Sequence, residues 1–150
     1  MKRIAVLGST GSIGTSCLEV LDGLRDQMVL VGVSAHSRWQ DLAAQTQDFD
    51  PRWAVLSDSE LAGTVAAEQF AAGTEIVYGA DELSKLAAHD DVDVVVAAIV
   101  GAAGLQSTVA AVEAGKTVAI ANKETLVVAG PQVVELATKT GAKLLPVDSE

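Results

Sequence analysis

The apolar run Ile4-Ala5-Val6-Leu7 breaks into three glycines, Gly8, Gly11 and Gly14, and an amphipathic segment begins at once behind them. A strand that must turn sharply into a helix accounts for this order. Glycines let the backbone reverse tightly and approach a ligand closely. The N–H groups of such a turn and the positive end of the helix dipole face one point, which favours an anionic phosphate. The G-x-x-G-x-x-G spacing differs from the commoner G-x-G-x-x-G fingerprint but occupies the same place after a first strand. A plain strand–helix turn is the competing reading. The position of the motif at the head of a βαβ pattern favours a dinucleotide site.

Further along, apolar runs alternate with helical patterns. Strands are predicted at Arg3–Leu7, Met28–Val33, Trp53–Leu56, Ile76–Tyr78, Val94–Ile99, Thr117–Ile120 and Lys143–Val147. Helices are predicted at Ser12–Leu21, Trp39–Gln47, Ser59–Phe70, Ala80–His89, Leu105–Ala114 and Lys123–Thr140. Gly130-Pro131 should interrupt the last of these, because proline lacks a donor and clashes with the preceding turn. Continuous apolar strands such as Val94–Ile99 are expected to be buried on both faces. The alternation implies right-handed crossovers and an α/β fold: a doubly wound, mostly parallel, Rossmann-like sheet with helices on both faces.

A chain of 150 residues fits one domain, and 49% hydrophobic residues with only 3% aromatics suit small side chains packed tightly between helices and sheet. The net charge of -10 opposes binding to nucleic acid, so an anionic ligand must be held by local groups. Cys17 is the single cysteine, which excludes an internal disulfide and fits a reducing compartment. No apolar run is long enough to span a membrane and the chain enters a strand without a leader, so a cytoplasmic location is expected.

The second strand indicates which dinucleotide. An acidic residue that binds the ribose 2′-hydroxyl lies about 20 residues beyond the glycines in NAD-binding folds. Counting from Gly14 reaches Ser34, and the run Val33-Ser34-Ala35-His36-Ser37-Arg38 contains no acid before Asp41. A carboxylate would repel a 2′-phosphate, whereas a guanidinium can pair with it through two hydrogen bonds. Ser37 and Arg38 therefore point to NADPH; the alternative makes Arg38 a solvated cation at a helix start.

Ligands of open α/β sheets bind outside the carboxyl ends of the strands. Three more segments fall there. Val100-Gly101-Ala102-Ala103-Gly104 could lie flat against a nicotinamide or ribose, or be a plain turn. Asn122, Lys123 and Glu124 leave a buried strand together, either as ligand contacts or as a helix cap. Asp148 and Glu150, two apart in an extended segment, can aim two carboxylates at one Mg²⁺ or Mn²⁺, or form a solvated tail.

Four ordered segments then resemble one family. They are Gly8-Ser9-Thr10-Gly11-Ser12-Ile13-Gly14, Ala98-Ile99-Val100-Gly101-Ala102-Ala103-Gly104-Leu105, Ala121-Asn122-Lys123-Glu124-Thr125-Leu126 and Leu144-Leu145-Pro146-Val147-Asp148-Ser149-Glu150. Together they look like the N-terminal NADPH-binding domain of the 1-deoxy-D-xylulose 5-phosphate reductoisomerases. The resemblance implies rearrangement of 1-deoxy-D-xylulose 5-phosphate and NADPH-dependent reduction to 2-C-methyl-D-erythritol 4-phosphate, a step of non-mevalonate isoprenoid synthesis. It implies cofactor contacts at Thr10, Gly11, Ser12, Ile13, Asn122 and Glu124, to which the glycine turn itself adds Gly8 and the second-strand reading adds Ser37 and Arg38. It implies a catalytic, substrate-contacting Lys123, substrate contacts at Ser149 and Glu150, and metal ligands Asp148 and Glu150 for Mg²⁺ or Mn²⁺. The family often carries a glycine and an asparagine around the 2′-phosphate loop, where His36 and Arg38 stand here.

By the same resemblance residues 1–150 form the NADPH-binding domain, and connective and C-terminal helical domains would follow. A further ligand carboxylate and a substrate-closing loop would lie there too, so the 150 residues alone should be inactive. A phosphorylated sugar is the implied partner, and a homodimer the implied assembly of the whole protein. The chain stops directly behind a strand, as the first domain of a longer protein would if trimmed there. Competing readings are an NADPH-dependent reductase of the semialdehyde or dihydrodipicolinate type, which needs no Asp-x-Glu metal pair, and a stand-alone NADPH-sensing module.

Overall fold

The computed structural model describes residues 1–121 and 123–147. Seven strands form one sheet: β1 (Lys2–Leu7), β2 (Met28–Ala35), β3 (Trp53–Leu56), β4 (Glu75–Tyr78), β5 (Val94–Ala97), β6 (Thr117–Ile120) and β7 (Lys143–Pro146). Their order is β4-β3-β2-β1-β5-β6-β7, and every described pairing is parallel. The chain winds outward from β1 to β4, returns to the other edge of β1, and winds outward again to β7. That reversal beside β1 opens a crevice at the carboxyl ends of β1 and β5.

Among the described residues five α-helices cover the sheet: α1 (Ser12–Asp22), α2 (Trp39–Phe49), α3 (Ala80–Ala88), α4 (Ala102–Glu113) and α5 (Lys123–Thr140). The central strands bury both faces, as their apolar runs require, while the edge strands β4 and β7 stay partly or largely exposed. In β1, Ala5 and Leu7 join a core built with Leu83 and Leu86 of α3, Ala111 and Val112 of α4, and Val133 of α5. Ile4 and Val6 point the other way, into a core with Leu18 and Leu21 of α1 and Leu42 of α2. The period-two alternation of a strand thus feeds two hydrophobic layers from one segment.

Two helix expectations fail. The segment 59–70 is not an α-helix. It forms two short 3-10 turns, Ser59–Leu61 and Ala67–Gln69. Gly63 between them has φ +83°, a left-handed conformation that ends any right-handed helix. The Asp58 carboxylate accepts the Glu60 N–H and Thr64 Oγ1 donates to the Leu61 carbonyl, local bonds that compete with a helical ladder. Gly130-Pro131, in turn, does not break α5, which runs unbroken through Pro131. Burial on both sides of the proline holds it: Ala129 precedes it, and Val133 and Ala137 follow it in the core. Pro131 itself is exposed, as are Val127 and Val128 one turn earlier. Elsewhere the boundaries shift by a few residues. β2 continues to Ala35, β5 ends at Ala97, and α4 starts at Ala102.

On the second face α1 and α2 pack on β1, β2 and β3. Beyond α1, a groove of about 480 Å³ runs across the other half of the sheet, lined by Ile13, Cys17, Val20, Val96, Ala119 and Val147. Partial burial there pushes the Cys17 thiol above its ordinary range, so it is a weak nucleophile. No helix among the described residues is long and apolar enough to cross a membrane.

Candidate functional site

The glycine turn sits at the carboxyl end of β1, at the strand-order reversal. Its three glycines do three different jobs. Gly8 has φ +83°, and a Cβ there would lie 2.8 Å from the Ala98 carbonyl oxygen, so the turn and β5 meet backbone to backbone. Gly14 is buried inside the first turn of α1, where a Cβ would fall 2.2 Å from the Gly8 carbonyl oxygen. Both glycines are requirements of the fold. Gly11 is different. It is exposed, has ordinary extended dihedrals as the N-cap of α1, and a Cβ would meet only the Gly8 oxygen at 3.6 Å. The protein leaves room for a side chain at Gly11, and a ligand approaching α1 would use that room.

The α1 helix begins its ladder with Thr15 N–H donating to the Gly11 carbonyl at 2.8 Å. The N–H groups of Ser12, Ile13 and Gly14 therefore have no carbonyl one turn back. Gly11 and Ser12 are exposed, and Thr10 and Ile13 are half-buried. No side chain caps this helix, and no acidic residue lies in its first turn to neutralise the dipole. A short loop of bare donors at a helix N-terminus fits a diphosphate.

Beyond β2, Ser37 and Arg38 are exposed at the same edge of the sheet. Arg38 Nη1 donates to the Thr10 carbonyl at 3.0 Å, and Nη2 pairs with Asp41 at 2.6 Å. The guanidinium thus stands directly over the glycine turn, where a phosphate on a bound ribose could reach it. His36 turns aside: its Nδ1 lies 2.9 Å from Ser57 Oγ.

Sequence reasoning missed the inner support of this turn. Ser34 is fully buried, and its Oγ accepts the Gly8 N–H at 2.9 Å while its carbonyl accepts the Ser9 N–H at 2.9 Å. The residue reached by counting from Gly14 therefore serves the turn and not a ribose. Ser9, also fully buried, is gripped from the other side by Gln45 of α2. The signal was present as a hydroxyl in an otherwise apolar strand and an amide three residues after buried Leu42, on the inward side of α2.

The remaining candidates divide. Gly101 opens α4 with φ +84° and nothing near its Cβ position, while a Cβ on Gly104 would strike the Ile99 carbonyl, so Gly104 serves helix packing. Lys123 opens α5, though its side chain lies outside the described residues, and Glu124 is exposed in the first turn. Asn122, Asp148, Ser149 and Glu150 lie outside the described residues. Among the described residues no cluster of His, Cys, Asp or Glu is built to hold a metal ion.

The family model for 1-deoxy-D-xylulose 5-phosphate reductoisomerase matches residues 4–130, from the first strand through the turn and beyond the start of α5. The chain belongs to this reductoisomerase family. The 1-deoxy-D-xylulose 5-phosphate reductoisomerase of Cellvibrio japonicus is 48% identical over 99% of this chain, which covers 38% of that protein. The Zymomonas mobilis reductoisomerase, solved in complex with NADPH, superposes with a TM-score of 0.91 at 38% identity, over 98% of this chain and 39% of that one. A reductoisomerase in complex with NADPH, fosmidomycin and magnesium gives 0.90 at 40% identity, over 99% of this chain and 37% of that one. The chain spans under two-fifths of the length of the reductoisomerases it matches.

Proposed function

We propose that this chain is the NADPH-binding part of a 1-deoxy-D-xylulose 5-phosphate reductoisomerase, which rearranges 1-deoxy-D-xylulose 5-phosphate and reduces it to 2-C-methyl-D-erythritol 4-phosphate. One observation carries the cofactor reading: Gly11 is the glycine the fold does not need, and it lies at a bare helix N-terminus beneath Arg38. The N–H groups of Thr10, Ser12 and Ile13 hold the diphosphate, while the Gly11 N–H closes the turn on the Gly8 carbonyl and its missing side chain leaves the room. Arg38, with Ser37 beside it, takes the 2′-phosphate. When bound, NADPH supplies the hydride. The chain's part is to fix the cofactor at the mouth of the β1–β5 crevice, which sets the distance and direction of transfer.

The catalytic half of the site is read from the family resemblance. Asn122 and Glu124 flank the cofactor, and Lys123 places its cation against substrate oxygens. Asp148 and Glu150 offer hard oxygen donors to Mg²⁺ or Mn²⁺, and Ser149 with Glu150 meets the phosphorylated sugar. The metal, when bound, polarises substrate oxygens as a Lewis acid. In the whole protein, connective and C-terminal domains supply the missing ligand and cover the apolar groove beside α1, whose lining suits a packed domain contact. The homodimer rests on the resemblance alone, and the cytoplasmic location on the composition of the sequence. Nothing in the site favours a semialdehyde or dihydrodipicolinate-type reductase, or a stand-alone sensing module.

Calorimetric titration of the chain with NADPH and NADH tests the cofactor reading. Tighter binding of NADPH is expected; equal affinities or a preference for NADH overturn it. For the metal, the protein carrying the downstream domains is assayed with 1-deoxy-D-xylulose 5-phosphate and Mn²⁺. Asp148→Asn should abolish turnover with NADPH affinity intact, and the 150 residues alone should show none. Turnover by the 150 residues, or an unimpaired Asp148→Asn enzyme, overturns the metal assignment.

A further inference from the structure

Helix α2 grips the glycine turn at two successive carbonyls. Arg38, its N-cap, holds the Thr10 oxygen at 3.0 Å. Gln45, two turns on along the same side of the helix, holds the Ser9 oxygen through Nε2 at 2.9 Å. Gln45 also accepts from the Ser9 hydroxyl, with Oε1 2.7 Å from Oγ. Ser9 is fully buried and Gln45 half-buried, so water does not readily replace these bonds. The Ser34 contacts anchor the other side of the same residue.

In a trans peptide the C=O and the following N–H point in opposite directions. Tying the Ser9 carbonyl to Gln45 therefore turns the Thr10 N–H away from α2. If that peptide plane rotated, a carbonyl oxygen would face a bound diphosphate in place of a donor, and the two would repel. In the observed arrangement one side chain donates to the Ser9 carbonyl and accepts from the Ser9 hydroxyl. An amide does so; a carboxylate cannot.

We infer that Gln45 is a positioning residue of the NADPH site, locking the Ser9–Thr10 peptide with its donor toward the diphosphate. This rests on the cofactor reading above. It differs from Arg38 in one respect that can be measured. The diphosphate is common to NADPH and NADH, so Gln45 governs affinity for both equally, whereas Arg38 governs the choice between them.

Two variants test it by titration with NADPH and NADH. Gln45→Met keeps the length of the side chain and removes both bonds. It should weaken both cofactors by about tenfold, with their affinity ratio unchanged. Gln45→Glu should bind both weakly at pH 8, where the carboxylate faces the Ser9 carbonyl. It should regain affinity relative to the unsubstituted chain as pH falls towards 5, because a protonated carboxyl again donates and accepts. A purely structural role moves melting temperatures but neither the common loss of affinity nor the recovery at low pH. If Gln45→Met does not fold, the pH series on Gln45→Glu decides. Unchanged affinity in either variant at pH 8, a loss confined to NADPH, or no recovery at low pH overturns the inference. Failure of the unsubstituted chain to bind NADPH instead overturns the cofactor reading beneath it.

Discussion

Arg3 and Asp93, ninety residues apart, close on each other at the amino ends of the two central strands. The Arg3 N–H and Nε both donate to Asp93 Oδ2, at 2.8 and 3.0 Å, and Nη2 donates to Oδ1 at 3.0 Å. The Asp93 N–H returns a bond to the Arg3 carbonyl at 2.8 Å. These hydrogen bonds from Arg3 hold the Asp93 carboxyl well below the usual carboxylate range.

That shift sets a pH dependence. The unfolded carboxyl titrates near about 3.9. Because the folded value is lower, the pair contributes fully above about pH 5, and its contribution is lost as pH falls through 4 towards the folded value. Asp93 is 30% exposed and Arg3 40%, so solvent screens the pair. Asp93→Asn should cost about 1 kcal/mol at pH 7. Urea unfolding of both proteins between pH 7 and 3 checks this: the gap should narrow with acid, and a constant gap contradicts it.

The glycine turn separates folding from binding. Gly14→Ala places a methyl group against the Gly8 carbonyl and should cost about 3 kcal/mol or more. Gly11→Val should melt close to the unsubstituted chain and lose NADPH binding, because its side chain fills the space left for the diphosphate. A thermal melt beside a titration separates the two. Full binding by Gly11→Val would show that the phosphate lies elsewhere.

Arg38→Ala should weaken NADPH by about 1–3 kcal/mol and leave NADH nearly unchanged, the range for a charge-assisted contact. The Arg38–Asp41 pair is more than half exposed on both sides, so it is worth little and yields readily to a 2′-phosphate. Asp41→Asn should therefore tighten NADPH modestly while NADH stays the same. Parallel titrations with the two cofactors test both. Equal losses of NADPH and NADH in Arg38→Ala would mean that its bond to Thr10 matters more than its charge.

Strand positions were legible because residues such as Val94, Val95 and Val96 are apolar without interruption, a pattern that fits a strand buried on both faces. The segment 59–70 misled because Leu61, Val65 and Phe70 have nearly helical spacing, while the left-handed turn at Gly63 has no periodic signature. Pro131 misled in the opposite direction, since a local cost was outweighed by burial of Val133 and Ala137. In the candidate site, Gly11 and Arg38 stand out by spacing and charge. Ser34 and Gln45 do not, because their partners lie 26 and 36 residues away in the chain.

The strand order also bears on how the molecule is made. One edge of β1 pairs with β2, close behind it, but the other waits for Val94–Ala97. During synthesis roughly sixty residues must emerge after β2 before that edge can close, on the order of several seconds of translation. Throughout that interval β1 has an open side, and the core around Ala5 and Leu7 lacks the residues that β5, α4, β6 and α5 bring to it. A nascent chain arrested before residue 94 should cross-link to ribosome-associated chaperones from Ala5 and Leu7, and one released after α5 has emerged should not. The residue pair at the amino ends of the central strands, Arg3 with Asp93, therefore forms only as the second half of the sheet begins to be laid against the first.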